Sequence, residues 1–104
     1  MLLYNITTKI EHDAHQEWLS WMQSAYIPHL MDSGFFQSFL LSRLRGVDES
    51  DGYTYALQLS VANQATFQLY QQKHAFAHQT MHDTRYKNRF VSFRSLLEVV
   101  NQSE

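Results

Sequence analysis

Two stretches with helical periodicity alternate with four strand-like stretches, and this order constrains the fold more than any other feature of the sequence. The first helical stretch runs from Asp13 to Gly34. Apolar and aromatic side chains recur in it at steps of three and four, which places them on one side of a helix. The members of this stripe are Ala14, Trp18, Trp21, Met22, Ala25 and Tyr26. We therefore expect this side of the helix to be buried, with two large indole rings in it.

The ends of this helix are marked by capping residues. Asp13 is predicted to be the N-cap, and Gln16 completes a capping-box pattern with it. Because Pro28 lacks the N–H group of a continuing helix, we expect the regular helix to end or kink near Ile27. One last turn is then predicted to stop at Ser33–Gly34.

The strand-like stretches cover residues 2–10, 35–44, 53–61 and 90–100. The first and third alternate between apolar and polar residues, which is typical of strands with one buried face. The second is apolar on both faces and therefore needs two covers. The fourth separates an apolar set from a mostly polar set, and we expect the polar set on the face that the helices leave open. The two sets are Val91, Phe93, Leu97 and Val99 against Ser92, Arg94, Leu96 and Glu98.

The second helical stretch is predicted to start at Asn63 as N-cap and to run to about Asp83. Its main stripe again has helical spacing. This stripe contains Phe67, Tyr70, His74, Ala77 and Met81. A smaller apolar set on the opposite side indicates that the helix also touches something besides its own sheet. This set is Ala65, Leu69 and Phe76.

The resulting order, β-α-β-β-α-β, predicts an α+β, ferredoxin-like fold with four antiparallel strands and both helices on one face. Asp51–Gly52 is a typical turn that joins the second and third strands as a hairpin. We expect residues 1–104 to form one domain, because the chain has no linker or repeat. The other sheet face is too apolar along the second strand to sit in water. Two such faces closing on each other would give a homodimer of the α+β barrel type.

Composition excludes several classes of function. The absence of cysteine excludes disulfides, thiolate metal sites and a cysteine nucleophile. The start of the sequence has neither a basic segment nor a long apolar one, so we expect no signal peptide, no membrane span and a cytoplasmic protein. A net charge of −2 gives no broad positive field for nucleic acid or an anionic membrane. RNA-recognition domains share this strand order, but they stack bases on strand aromatics where this chain has Asn5 and Gln58.

Arg94 is the residue that points most directly to a binding site. A guanidinium on an enclosed sheet face needs an acidic partner, either Glu98 of the same or the other subunit or a carboxylate ligand. In this strand order the first strand lies between the third and the fourth, so Asn5 and Gln58 are expected beside Arg94 on the open face. The predicted ligand-binding residues are therefore Asn5, Gln58, Arg94 and Glu98. For Arg94 the sequence favours the structural pair with Glu98 over a ligand role, and the hypothesis for the ligand role is an acidic small molecule anchored by Arg94 and oriented by Asn5 and Gln58.

His74, His78 and His82 are spaced at i, i+4 and i+8 on the second helix. Histidines at i and i+4 can share a divalent metal, so His74 and His78 are weak metal candidates. The same side of the helix carries the apolar stripe, which favours a packed His74 and an exposed His82 over a metal site. We therefore predict no metal and no other cofactor.

Several residue groups along the whole chain carry a resemblance to a known family. They are Tyr4–Asn5, Glu17–Trp18, Trp21–Met22, Ile27–Pro28, Gly34, Phe36, Arg89–Phe90–Val91, Phe93–Arg94 and Leu97–Glu98. With them the sequence resembles a bacterial family known only as a domain of unknown function. The resemblance implies membership of the dimeric α+β barrel superfamily and implies no activity. In that family a histidine often precedes the Ile–Pro pair, whereas this chain has Tyr26 there and His29 just after.

Three functional hypotheses follow. The first is a homodimer that binds a small, acidic molecule in its barrel, with cofactor-independent catalysis left open because no nucleophile or base has an evident orienting partner. The alternative is a non-catalytic dimeric regulatory or interaction module. The third is a haem-degrading monooxygenase, since some dimeric barrels use a first-strand asparagine with a tryptophan and a histidine of the second helix. Asn5 with His74 or His78 superficially resembles that set, but the second helix has no tryptophan.

Overall fold

The computed structural model describes residues 1–103, which form one four-stranded antiparallel sheet with two helical arms on one face. The first arm contains α1, a π-helical turn and α2, and the second contains α3, a π-helical turn and α4. The first half of the chain is β1 (Leu2–Ile10), α1 (His12–Trp21), the first π turn (Met22–Tyr26), α2 (Ile27–Asp32) and β2 (Ser38–Arg43). The second half is β3 (Tyr53–Val61), α3 (Gln64–Tyr70), the second π turn (Gln71–Ala75), α4 (Phe76–Arg85) and β4 (Phe90–Glu98).

The strand order is β2-β3-β1-β4. This order, the β2–β3 hairpin and the arms on one face confirm the predicted ferredoxin-like fold. The core fills the space between the sheet and the arms, and its most deeply buried large side chains are Trp18, Ile10, Ile27, Leu30, Leu59 and Val61. Among residues 1–103, no helix combines the length and the apolar character needed to cross a bilayer.

The first arm starts two residues earlier than predicted. Glu11, not Asp13, is the N-cap, and its side chain makes no capping hydrogen bond. Asp13 instead accepts a hydrogen bond from Arg89 at 2.5 Å, so its carboxylate joins this helix to the start of β4. The capping-box interpretation was wrong because the long-range ion pair takes the carboxylate that the cap would use.

The arm does not stop at Pro28. Pro28 has no N–H, so one carbonyl of the preceding turn cannot receive its usual helical hydrogen bond. The wider π-helical turn Met22–Tyr26 lies directly before α2, where this bond is missing. The chain then makes the expected last turn and stops at Gly34, whose φ of +81° favours glycine.

Strand β2 begins at Ser38, three residues later than predicted. Phe36 instead turns into the core, with its ring centroid 4.7 Å from Tyr70 and 6.4 Å from Tyr4. Because Phe36 anchors this segment under the second arm, the aromatic run at 35–36 belongs to the approach to the strand rather than to the strand itself.

The second arm starts as predicted, since the Asn63 side chain accepts a hydrogen bond from the backbone N–H of Thr66 at 2.8 Å. Its buried stripe, however, changes after the second π turn. A π turn contains more residues than an α turn, so the later buried positions move by one. His78 and His82 are buried, while the predicted Ala77 and Met81 are exposed. The expectation of an exposed His82 was therefore wrong.

Strand β4 faces the opposite way from the prediction. The β1–β4 register pairs Ile6 with Arg94 and Thr8 with Ser92, so these β4 residues face the arms. The apolar set Val91, Phe93 and Leu97 lies on the open face and is largely exposed. The prediction assumed that apolar side chains face the arms, whereas here the open face is the more apolar one along β4.

Candidate functional site

A small cavity between the sheet and the arms surrounds Arg94, and we call it the interlayer cavity. From the sheet, Ile6, Thr8, Leu57, Ser92 and Arg94 line it; from the arms, Trp18, Met22, Tyr26 and His82 do. Its free volume is about 10 Å³, which is room for one water molecule. The cavity thus combines aromatic walls with one cation and several hydroxyl groups.

Arg94 has no counter-ion in this cavity. Its Nε atom is buried and has no hydrogen-bond partner. Within residues 1–103, no carboxylate lies in ion-pair distance of its guanidinium, although Arg43, Arg85 and Arg89 each pair with a glutamate. Removing part of a charged group from water without a partner is costly, so the buried Nε of Arg94 is unfavourable in the free protein.

The hydroxyl groups near Arg94 are held neutral. Burial raises the pKa of Tyr4, Tyr26 and Tyr70, and the positive charge of Arg94 offsets part of each increase. These neutral tyrosines therefore interact electrostatically with the Arg94 charge but do not neutralise it. They supply no negative charge for Arg94, and the hydroxyls of Tyr26 and Tyr70 are already engaged by His78.

His82 connects the cavity to both arms. Its Nε2 accepts a hydrogen bond from the Trp18 indole at 2.9 Å, and its Nδ1 lies 3.0 Å from an Asp83 carboxylate oxygen. This pattern assigns a neutral imidazole with its proton on Nδ1. Burial lowers the pKa of His82, and Asp83 offsets part of that decrease. Both ring nitrogens are thus engaged, so His82 is positioned as a structural link and not as a free base.

A second group of imidazoles lies further along the arms. His78 is buried, and its ring centroid is 5.4 Å from that of His74 and 5.1 Å from that of His29. Its Nδ1 makes a 2.8 Å hydrogen bond with the Tyr70 hydroxyl. Within the part of the chain that the structure describes, no three histidine, aspartate or glutamate side chains are arranged to hold a metal ion.

The four predicted ligand-binding residues do not meet. Asn5 and Gln58 are cross-strand partners on the open face, as expected. Arg94 lies on the opposite, arm-covered face, because the parity of β4 is reversed. Glu98 shares that face but pairs with Leu2 at the far end of the ladder, and it makes no ion pair with Arg94 among residues 1–103. The predicted three-residue site of Arg94, Asn5 and Gln58 is therefore wrong.

Asn5 is already satisfied within its own sheet. Its Nδ2 donates to the Thr7 hydroxyl at 3.0 Å and to the Ser95 hydroxyl at 3.4 Å. Asn5 lies on the open face of the sheet, whereas His74 and His78 lie on the arms that cover the other face, so these residues cannot hold one haem within a subunit.

Ser92 and Thr8 lie beside Arg94 in the interlayer cavity, and the sequence did not identify them. Their position depends on the β1–β4 register rather than on their chemistry.

The open face carries a large apolar surface at both edges. Leu40 on β2 is 61% exposed, while Val91 and Phe93 on β4 are 69% and 65% exposed. Between them lies a polar strip with a 2.7 Å hydrogen bond between the hydroxyls of Ser38 and Ser60. Large exposed apolar groups on a sheet face are typical of an interface.

A larger cavity lies elsewhere, between the first arm and the edge strand β2. Its volume is about 770 Å³, and its walls are mainly apolar, with Leu19, Ile27, Met31, Phe39 and Leu41 among them. It has no buried charge, so it offers space for an apolar group but little basis for recognising a particular ligand.

The sheet order and the two arms define a ferredoxin-like α+β protein, with the unpartnered Arg94 Nε between its layers. The chain belongs to the family described as Domain of unknown function (DUF4286), whose model matches residues 1–100. This confirms the resemblance drawn from the sequence. No curated protein matches the sequence.

Solved structures share this fold at low sequence identity. HapK from Hahella chejuensis superposes with a TM-score of 0.73 at 13% identity, covering 100% of this chain and 97% of HapK. A dimeric ferredoxin-like protein from an uncultured marine organism gives 0.70 at 10% identity, with coverage of 100% and 99%. SnoaB from Streptomyces nogalater, a cofactor-independent oxygenase, gives 0.68 at 16% identity, with coverage of 97% and 95%. These similarities establish the fold alone.

Proposed function

We propose that this protein binds a small carboxylic acid, with Arg94 as the anchoring residue in the interlayer cavity. The observation that carries the proposal is the buried Arg94 Nε without a hydrogen-bond partner. The proposal keeps the acidic ligand inferred from the sequence but moves it from the open face to the arm-covered face of the sheet.

The chemistry of Arg94 fits a carboxylate. A guanidinium presents parallel N–H groups that match two carboxylate oxygens, and such bidentate pairs are stronger than neutral hydrogen bonds. The ligand would supply both the missing acceptor for Nε and the missing negative charge. Nearby hydroxyl groups on Ser92 and Thr8 can bind the remaining oxygen lone pairs.

The side chains that line the interlayer cavity indicate the chemistry of the rest of the ligand. Trp18 and Tyr26 present aromatic surfaces, and Met22 and Leu57 present apolar ones. A carboxylate attached to a planar or aromatic body would satisfy both parts. Because the free volume is about 10 Å³, uptake of such a body requires the arms to move away from the sheet.

Binding without catalysis is the function that this geometry supports best. The one imidazole at the cavity, His82, has both nitrogens engaged by Trp18 and Asp83. A general base must reach the proton that it removes, and no free base faces this cavity among the residues that line it. Similarity to SnoaB keeps cofactor-independent oxygenation as the second candidate, because that protein shares the fold.

We also propose a homodimer closed by the open sheet faces. The exposed Leu40, Phe93 and Leu97 would be buried there, and the polar strip around Asn5 would lie at the centre. A similar structure is described as a dimeric ferredoxin-like protein, which supports this assembly.

Calorimetric titration of a carboxylic acid panel against the purified protein tests the ligand proposal. The panel should contain aliphatic and aromatic acids together with their uncharged amides. We expect an aromatic acid to bind, its amide to bind at least roughly tenfold more weakly, and Arg94→Met to lose the acid. Arg45→Met is the matched control, because Arg45 is exposed in the β2–β3 loop. Equal binding of acid and amide, or unchanged binding by Arg94→Met, would contradict the proposal.

A further inference from the structure

Three histidines meet where the two helical arms touch. His29 comes from α2, His74 from the second π turn and His78 from α4. The His74 and His78 rings are stacked, with an angle of 14° between their planes, and the His29 ring meets His78 edge-on at 74°. A proton gained by His78 would therefore lie about 5 Å from two further imidazoles.

One hydrogen bond to the His78 backbone also joins the two arms. The Tyr26 hydroxyl of the first arm donates to the His78 carbonyl oxygen at 2.8 Å. Within the second arm, the Tyr70 hydroxyl and His78 Nδ1 are 2.8 Å apart. His78 is only 5% exposed, so its imidazole sits inside the contact and not on its rim.

The groups around His78 offer no negative charge. The first arm contributes Tyr26 and His29, and the second arm contributes Tyr70 and His74. The sheet contributes Tyr4, which packs against Tyr70, and the Arg94 cation, whose charge reaches Tyr26 and Tyr70. Within residues 1–103, the only ion pair between a histidine and a carboxylate is His82–Asp83.

We propose that His29, His74 and His78 form an acid-released latch between the two helical arms. While the imidazoles are neutral, they pack face and edge against one another and keep the arms closed over the interlayer cavity. In acid, a proton on His78 is placed in a buried, already cationic neighbourhood, and the closed contact becomes unfavourable. The arms then separate while the sheet, which has no part in the latch, stays paired.

The direction of the pH effect follows from linkage. Burial and the neighbouring His29 and His74 lower the pKa of His78 from its ordinary 6.5 to about 4. As the pH falls, the open state binds the proton at a higher pH than the closed state does. The closed state is therefore fully favoured above the ordinary histidine pKa of 6.5, and its stability relative to the open state decreases as the pH falls toward 4. At about pH 5 this one group weakens the closed state roughly 20-fold relative to neutral pH.

Hydrogen exchange and histidine NMR, without any ligand, test the latch independently of carboxylate binding. After correction for intrinsic rates, we expect amides of α2 and α4 to lose protection at about pH 5 while those of β1 and β3 keep it. We expect His78 to titrate well below the ordinary histidine pKa of about 6.5. Loss of protection in the arms and the sheet together, or an ordinary pKa for His78, would overturn the latch.

The double variant His29→Gln, His74→Gln removes the two neighbouring imidazoles and leaves His78 in place. We expect its acid-induced loss of arm protection to be at least roughly threefold smaller than in the unchanged protein. His12→Gln is the matched control, because His12 is exposed and contacts the Glu49 carbonyl instead of the arms. An equal loss in the double variant and in the control would also overturn the proposal.

Discussion

Arg94 lies opposite Ile6 in the β1–β4 ladder, and this pairing decides on which side of the sheet the Arg94 guanidinium lies. A register shifted by one residue would place Arg94 on the open face. In the observed register its guanidinium enters the interlayer cavity beside Trp18 and His82.

Arg94→Met is expected to leave the ligand-free protein as stable as before or to stabilise it by about 1 to 2 kcal/mol. The substitution keeps much of the side-chain volume and removes a half-buried guanidinium whose buried Nε has no hydrogen-bond partner. Residues that are kept for binding often lower stability in this way. Denaturant unfolding measures the effect, and a loss above about 1 kcal/mol would identify Arg94 as a structural residue.

Trp18→Ala is expected to destabilise the protein by roughly 3 to 5 kcal/mol, because the indole is 1% exposed and central to the core. Trp18→Phe keeps most of the packing but removes the hydrogen bond to His82, so we expect a smaller loss of roughly 1 to 2 kcal/mol. If denaturant unfolding gives equal losses for both variants, packing is not the main contribution of Trp18.

Phe93→Asp is expected to dissociate the proposed homodimer. Phe93 is 65% exposed on the open face, and an unpaired carboxylate buried in that interface, once in each subunit, would be costly. Phe76→Asp is the matched control, since Phe76 is 82% exposed on the second arm, away from the open face. Light scattering should show a dimer for the unchanged protein and the control, and a monomer for Phe93→Asp. A monomeric unchanged protein would refute the assembly.

Much of the fold was predictable because it depends on local signals. The alternation in β1 and β3, the Asn63 cap and the stop at Gly34 are determined by neighbouring residues and were confirmed. The π turns were not predictable from periodicity. The second one moved burial from Ala77 to His78, and no local signal marks that extra residue.

The sequence singled out Arg94 as a candidate binding residue, but it did not predict on which face of the sheet Arg94 lies. Arg94 stood out as a charge in need of a partner, but the face to which it belongs follows from how β4 pairs with β1. The apolar face of β4 was assigned to the arms on the rule that apolar side chains face the core. That rule fails here because the open face carries Val91, Phe93 and Leu97, which a monomer leaves in water.

The most direct test of the central claim is NMR observation of the Arg94 Nε–H group in protein labelled with ¹⁵N-arginine. The signal is assigned by its loss in Arg94→Met. We expect a signal protected from solvent exchange but not shifted by hydrogen bonding, which moves when an aromatic carboxylic acid is added and not when its amide is added. A signal that shows a hydrogen bond in the free protein and ignores every acid of the panel would contradict the account.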